Sequence, residues 1–214
     1  MFLYATYAHG RNFSTGNNID QNDIRQYYGP TAQDIAHIFN AAANVELPIG
    51  RGRAVLSGMN PWLDRIVGGW QMSGFVHVRS GTRFGVSSPV SRLNNGQGNR
   101  PDRVGDGNLP ADERTLSRWY DTTAFVNHLV EQTYGNAGTN PLFSDGQTQL
   151  DASIFKSFRI AEHSALQFRA DFFNAFNHPD FSTPRASVGS STNGRITATS
   201  IDGRRMQFGL RLSF

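Results

Sequence analysis

Along much of this chain apolar and polar residues alternate one for one, the period of a β-strand, in which successive side chains turn to opposite faces. The last ten residues show it without exception. Met206, Phe208, Leu210, Leu212 and Phe214 fall on one side, and Arg205, Gln207, Gly209, Arg211 and Ser213 on the other. A sheet in water also alternates, so the period alone does not choose the solvent. An aromatic end with two cations on the opposite face fits lipid outside and a wet lumen within.

Five further runs are predicted as strands. Phe2 to Gly10 is apolar on both parities, which leaves its lipid face unassigned. From Ile38 to Leu47 the apolar positions are Phe39, Ala41, Ala43, Val45 and Leu47, and Pro48 ends the run. Trp70 to Arg79 sets Trp70, Met72, Gly74, Val76 and Val78 against Gln71, Ser73, Phe75, His77 and Arg79. Gln149 to Phe158 turns Leu150, Ala152, Ile154 and Phe158 one way. Leu166 to Phe176 opposes Leu166, Phe168, Ala170, Phe172 and Phe176 to Gln167, Arg169 and Asp171. Between the second and third runs, Asn60 as cap and Pro61 at the first helical position predict one short helix over 61–67, broken by Gly68-Gly69.

Residues 11–36, 80–148 and 177–204 read as polar loops, the middle one with short extra strands. With the carboxy terminus on the periplasmic side these three lie outside, while 48–69 and 159–164 lie inside. Long outer loops and a short inner turn are the habit of outer-membrane barrels. The 48–69 segment is long for an inner turn, and its helix accounts for that. The expected fold class is all-β: an antiparallel up-and-down transmembrane β-barrel segment of about six long strands.

Composition narrows the alternatives. With 38% hydrophobic residues, no window approaches the roughly 18 consecutive apolar residues of a membrane helix. A barrel is compatible, because lumen-facing polar groups dilute its hydropathy. The absence of cysteine removes disulfides and thiolate metal sites. The net charge of +3 is scattered, with very few lysines and no basic stripe, so no nucleic-acid partner is expected. No basic region, apolar core or cleavage site opens the chain, and we expect that its beginning is missing.

Several short blocks occur in a particular order: Val45 to Gly52, Gly68 to Gly74, Trp119 to Phe125, Tyr134 to Asn140, Leu150 to Lys156, Phe168 to Pro179, and the ending Phe208 to Phe214. On these the chain resembles the C-terminal β-barrel region of a TonB-dependent outer-membrane receptor, in particular the Oar-like group that carries a carboxypeptidase-regulatory-like domain. The resemblance implies a barrel of about 22 strands around a plug. Energy passed through TonB would move the plug and admit a nutrient. Signal peptide, regulatory-like domain, plug, TonB-contacting box and most strands are not in the sequence. The expectation is therefore one partial domain, 1–214, forming an open, strongly curved sheet with two unpaired edges, an aggregation hazard in water. Expected partners are outer-membrane lipid, the barrel-assembly machinery, the plug and TonB through the missing amino-terminal part, and a small nutrient or oligosaccharide.

Within that reading Phe208, Leu210, Leu212 and Phe214 are similar to the terminal signal read by the barrel-assembly machinery, through pairing at a strand edge. The plainer reading is that they cover the wall. His77, Arg79, Arg169, Asp171 and Arg211 fall on predicted lumen faces, where polar residues solvate the wall whether or not they touch plug or substrate. Asp102, Asp106, Asn108, Asp112 and Glu113 form an acidic loop whose spacing does not match a calcium hand, and no metal is assigned to it. Gly135-Asn136-Ala137-Gly138 lies in a loop, not between strand and helix, and is no nucleotide fingerprint. His9, His37, His77, His128, His163 and His178 show no paired ligand spacing. Neither enzyme activity nor a cofactor is expected. The rival readings are a secreted β-sandwich carbohydrate-binding module and a passive porin or adhesin barrel.

Overall fold

The computed structural model describes residues 1–15, 27–94 and 98–214; residues 16–26, inside the predicted 11–36 loop, and 95–97, inside the 80–148 loop, lie outside the described residues. Six long strands make the wall: β1 (Phe2–His9), β4 (His37–Glu46), β5 (Gln71–Arg79), β10 (Gln147–Ala161), β11 (Ser164–Phe173) and β12 (Arg205–Ser213). They form one sheet in the order β1-β4-β5-β10-β11-β12, every pair antiparallel, so each wall strand lies beside its neighbour in sequence. This is the up-and-down meander that the alternation predicted. Strands of this length span a bilayer when tilted, at roughly 9–11 residues each. Among the described residues β1 and β12 each have one sheet neighbour, leaving two edges.

The register keeps the two faces separate across the whole wall. Val45 stands opposite Met72, Met72 opposite Ile154, Ala170 opposite Phe208 and Phe168 opposite Leu210. The same register assigns the face that alternation left open in β1, where Leu3, Ala5 and Tyr7 pair with Ala43, Ala41 and Phe39. The intervening row holds Asn40 beside His77, Gln149 beside His77, Ser153 beside Asp171 and Gln167 beside Arg211. A slip of one residue between β11 and β12 would put arginines among phenylalanines, which is why the pattern fixes the register there.

Two boundaries differ from expectation by three residues, and the others by two or fewer. β10 runs past Phe158 to Ala161, because a bulge between Arg159 and Ala161 lets Ala161 pair with Ser164; the inner turn is left with Glu162 and His163. β11 stops at Phe173, not Phe176. Asn174 enters the left-handed region (φ 50°), its backbone N–H donates to Asp151 Oδ1 at 2.9 Å, and its side-chain amide donates to the His178 carbonyl at 3.0 Å. Those bonds turn the chain out of the sheet and leave Phe176 exposed in the turn.

At the end of the wall away from Ser213 the three long connections fold together into a cap. It carries the two-stranded pairs β2 (Phe13–Ser14) with β3 (Gly29–Pro30), β6 (Arg83–Phe84) with β9 (Leu142–Phe143), and β7 (Asp102–Arg103) with β8 (Phe125–Val126). The buried core sits in this cap rather than against the sheet: Phe84, Val86, Trp119, Tyr120, Ala124, Phe125, Ala137 and Leu142, with Ala186, Val188 and Ile196 against it. The opposite end carries the short helix α1 (Pro61–Val67), as predicted. Its Asn60 side chain accepts from the Trp62 N–H at 3.0 Å, and the Gly68 N–H donates to the Asp64 carbonyl at 2.9 Å. No helix among the described residues is long and apolar enough to cross a membrane.

Candidate functional site

The polar face of the wall and the cap above it carry the groups that a passing or bound molecule would meet. His77 Nδ1 lies 2.7 Å from Asn40 Oδ1 on the neighbouring strand, and Arg79 Nε donates to Gln147 Oε1. Arg169 Nε donates to both Asp171 oxygens at 2.8 and 3.0 Å, and Asp171 also accepts from the Ser153 hydroxyl. Arg211 lies on the same face opposite Gln167, two rows nearer the turn at Glu162. The structure thus places all five sequence candidates on the polar face and joins Arg169 to Asp171. Paired in this way, the two charges offset each other, and the face is polar rather than strongly charged.

Three of the four candidates at the carboxy end, Phe208, Leu210 and Leu212, lie together on the apolar face of β12. Phe208, Leu210 and Leu212 stand opposite Ala170, Phe168 and Leu166, the Phe208 and Phe168 rings stack at 6.4 Å, and Phe214 projects beyond the strand. Leu210 is 71% exposed and Phe208 65%, although the cap buries Leu142 completely. A continuous apolar face left bare while a core exists elsewhere requires an apolar solvent.

The cap is tied at its joints by groups that a scan for motifs does not single out. Asp34, 2% exposed, accepts from Arg11 Nε at 3.1 Å and from the Asn12 N–H at 2.7 Å, and Arg83 Nε stands 3.4 Å away, so one carboxylate holds the first loop to the second. Burial pushes that carboxyl up, but the Asn12 amide and the two guanidiniums outweigh it and hold Asp34 below the ordinary carboxylate value. The second and third loops meet where Tyr120 OH donates to Asn193 Oδ1 at 2.6 Å and the Trp119 N–H donates to the Gly194 carbonyl at 2.8 Å. Burial raises the Tyr120 phenol to about 12. Gly81 and Gly135 sit where a Cβ would run into the backbone carbonyls of Ser144 and Arg100, so glycine is needed for the loops to close.

Among the described residues of the cap, two openings are large enough to hold a small molecule. One, about 450 Å³, lies between the first and second loops and is lined by Tyr28, Arg83, Arg103, Asn108, Thr139 and Phe143. The other, about 690 Å³, lies between the second and third loops, lined by Phe84, Ser87, Ser182, Arg185, Thr197 and Ser200. Both combine an aromatic wall with hydrogen-bonding side chains at the size of small-molecule sites.

The acidic loop is distributed over other tasks. Asp106 pairs with Arg103 Nη2 at 2.6 Å, Asn108 donates to the Pro141 carbonyl, and Asp102 accepts from the Asn136 N–H at 3.1 Å while contacting His128 Nδ1 at 2.8 Å. His128 Nε2 in turn meets Thr133 Oγ1 at 2.7 Å. This Asp102, His128, Thr133 chain was invisible in the spacing of the residues, and it fastens the strand β7 to the segment after β8. His9 and His37, also far apart in sequence, stand with ring centroids 4.7 Å apart beside the Tyr7 hydroxyl, which bonds His37 Nδ1 at 2.7 Å.

A family model described as an outer membrane beta barrel domain matches residues 4–207. No curated protein and no solved structure matches the chain. The six-strand meander, its bare apolar face and this match agree: the chain belongs to the outer membrane beta barrel domain family and resides in the outer membrane of Gram-negative bacteria.

Proposed function

We propose that this chain forms barrel wall and extracellular loops of a TonB-dependent receptor, serving energised uptake of a small polar nutrient or oligosaccharide. The observation that carries the reading is the packed cap. The second and third loops share one core, the first is fastened to the second through Asp34 and Arg83, and the cap so formed holds two openings lined by aromatic and polar side chains, at the end of a wall whose inner face is hydrogen-bonding. A rigid outer cap with such openings suits selective capture, since pre-formed sites bind without a large ordering cost. Porins also hold loops in order, so the cap supports uptake without excluding passive passage. In this reading the chain works by binding and passage, not by chemical conversion.

The plug and TonB are the inferred partners for energised transport, supported by the ordered sequence blocks that resemble receptor barrels. The strand β12, with Phe208, Leu210 and Leu212 along its outer face and Phe214 just beyond its end, is the inferred contact for the barrel-assembly machinery. Conductance in planar bilayers tests the transport reading on the protein as its host cell makes it. A plugged receptor passes no current until mild denaturant displaces the plug. Standing open channels without denaturant would overturn energised uptake in favour of a passive pore.

A further inference from the structure

The helix α1 is attached to the lipid-facing side of the wall. Trp70 precedes β5 with the parity of Met72; it donates its Nε1–H to the Ile66 carbonyl at 2.9 Å and meets Phe168 edge-on, with centroids 6.0 Å apart. Phe168 stands opposite Leu210 in the apolar row. Lys156, the only lysine in the chain, occupies that same row between Ile154 and Phe158, yet is only 6% exposed. Its ammonium donates to the Arg65 carbonyl at 2.6 Å, which places a cation at the carboxy-terminal end of α1.

Having covered Lys156, the helix turns a bare apolar surface outward: Trp62 is 74% exposed, Ile66 64% and Leu63 54%. The Arg65 guanidinium lies 5.2 Å from the centre of the Trp62 ring. A groove of about 620 Å³ separates the helix from the lower end of β10, lined by Asp64, Arg65, Lys156, Phe158, Arg159 and Ile160. Apolar side chains flanked by cations and a tryptophan, at one rim of a lipid-facing wall, are the make-up of an interfacial segment.

We propose that α1 is a membrane-interface anchor that docks in the phospholipids of the inner leaflet of the outer membrane. Trp62, Leu63 and Ile66 enter the acyl boundary, and Arg65 meets lipid phosphates. Two observations select lipid as the occupant: the helix surface is continuous with the apolar wall, and Arg65 lies against the exposed Trp62 ring, the tryptophan and cation pairing of a headgroup boundary. The proposal depends on the wall facing lipid and not on what the barrel transports.

Tryptophan quenching by phospholipids brominated at chosen depths tests it, with the whole chain reconstituted in vesicles. The emission of Trp62 is isolated as the difference between the unmodified chain and Trp62→Phe. Loss of most of that difference emission with bromines near the headgroup end of the chain, and little loss with bromines at the chain terminus, is the expected result. Emission that no brominated lipid quenches but aqueous acrylamide does would overturn the proposal. Emission shielded from both would overturn it in favour of a protein partner. A Phe208→Trp chain in the same vesicles reads the wall: if its tryptophan is quenched by lipid and Trp62 is not, the helix proposal falls alone, and if neither is quenched the lipid-facing assignment falls with it.

Discussion

At the scale of single residues, the cap depends on a few buried polar groups placed where loops meet. Asp34 is the most exacting, since its carboxylate answers two arginines from different loops while almost fully buried. Replacing it by asparagine leaves the guanidiniums of Arg11 and Arg83 without their countercharge; Arg83, the more buried of the two, feels the loss more than the half-exposed Arg11, which water screens. Asp34→Asn is therefore expected to open the joint between the first two loops, seen as faster amide exchange there with the wall unchanged. The pH dependence has a definite sign. The folded carboxyl sits below its ordinary value of 3.8, so the contribution is complete above 3.8 and is lost as pH falls from there through the depressed value. Tyr120 works in the other direction: its phenol rises from 10.0 to about 12, so the cap should lose stability as pH climbs across that interval. Tyr120→Phe should flatten the alkaline limb, as read by near-ultraviolet circular dichroism.

At the scale of elements, the wall strands have the same two-faced construction, but the solvents on their faces make substitutions unequal. Leu210 and Arg211 are neighbours on β12 and point to opposite media. Leu210→Arg sets a cation in the apolar row opposite Phe168 and should cost about 2–4 kcal/mol of barrel stability near the membrane midplane, measured as a lower denaturant midpoint in vesicles. Arg211→Leu should cost far less. The proposed role of β12 in assembly has its own measurement: removing Phe214 should lower the yield of folded barrel in cells without changing the stability of what does fold. The elements also show how far sequence reaches. Strand order, the two faces of most wall strands and α1 were legible because lipid and water impose a strict contrast at every second residue, and because Asn60-Pro61 marks a helix start. The ends of β10 and β11 were not, since a bulge at Arg159 and the left-handed turn at Asn174 depend on partners distant in sequence. Lys156 broke the apolar row for a reason only the placement of α1 reveals.

For the whole molecule, the distribution of the core is the telling feature. Its tightly packed residues, such as Tyr120, Phe125 and Leu142, gather in the cap, while the wall shows an apolar face to its surroundings. None of this was readable in the loops, because a core assembled from scattered aromatics has no period to follow. The cap openings, the Asp34 joint and the Asp102, His128, Thr133 chain went unforeseen for that reason. That His77, Arg79, Arg169, Asp171 and Arg211 share the polar face was accessible to sequence because they belong to strands. The chain contains no cysteine, so single cysteines can be introduced along β12 and spin-labelled one at a time in vesicles. Accessibility to oxygen dissolved in lipid should peak at positions 206, 208, 210 and 212, and accessibility to an aqueous nickel chelate at 205, 207, 209, 211 and 213. Equal accessibility at both parities, or the inverted phase, would contradict a wall with hydrocarbon on one side and a wet lumen on the other.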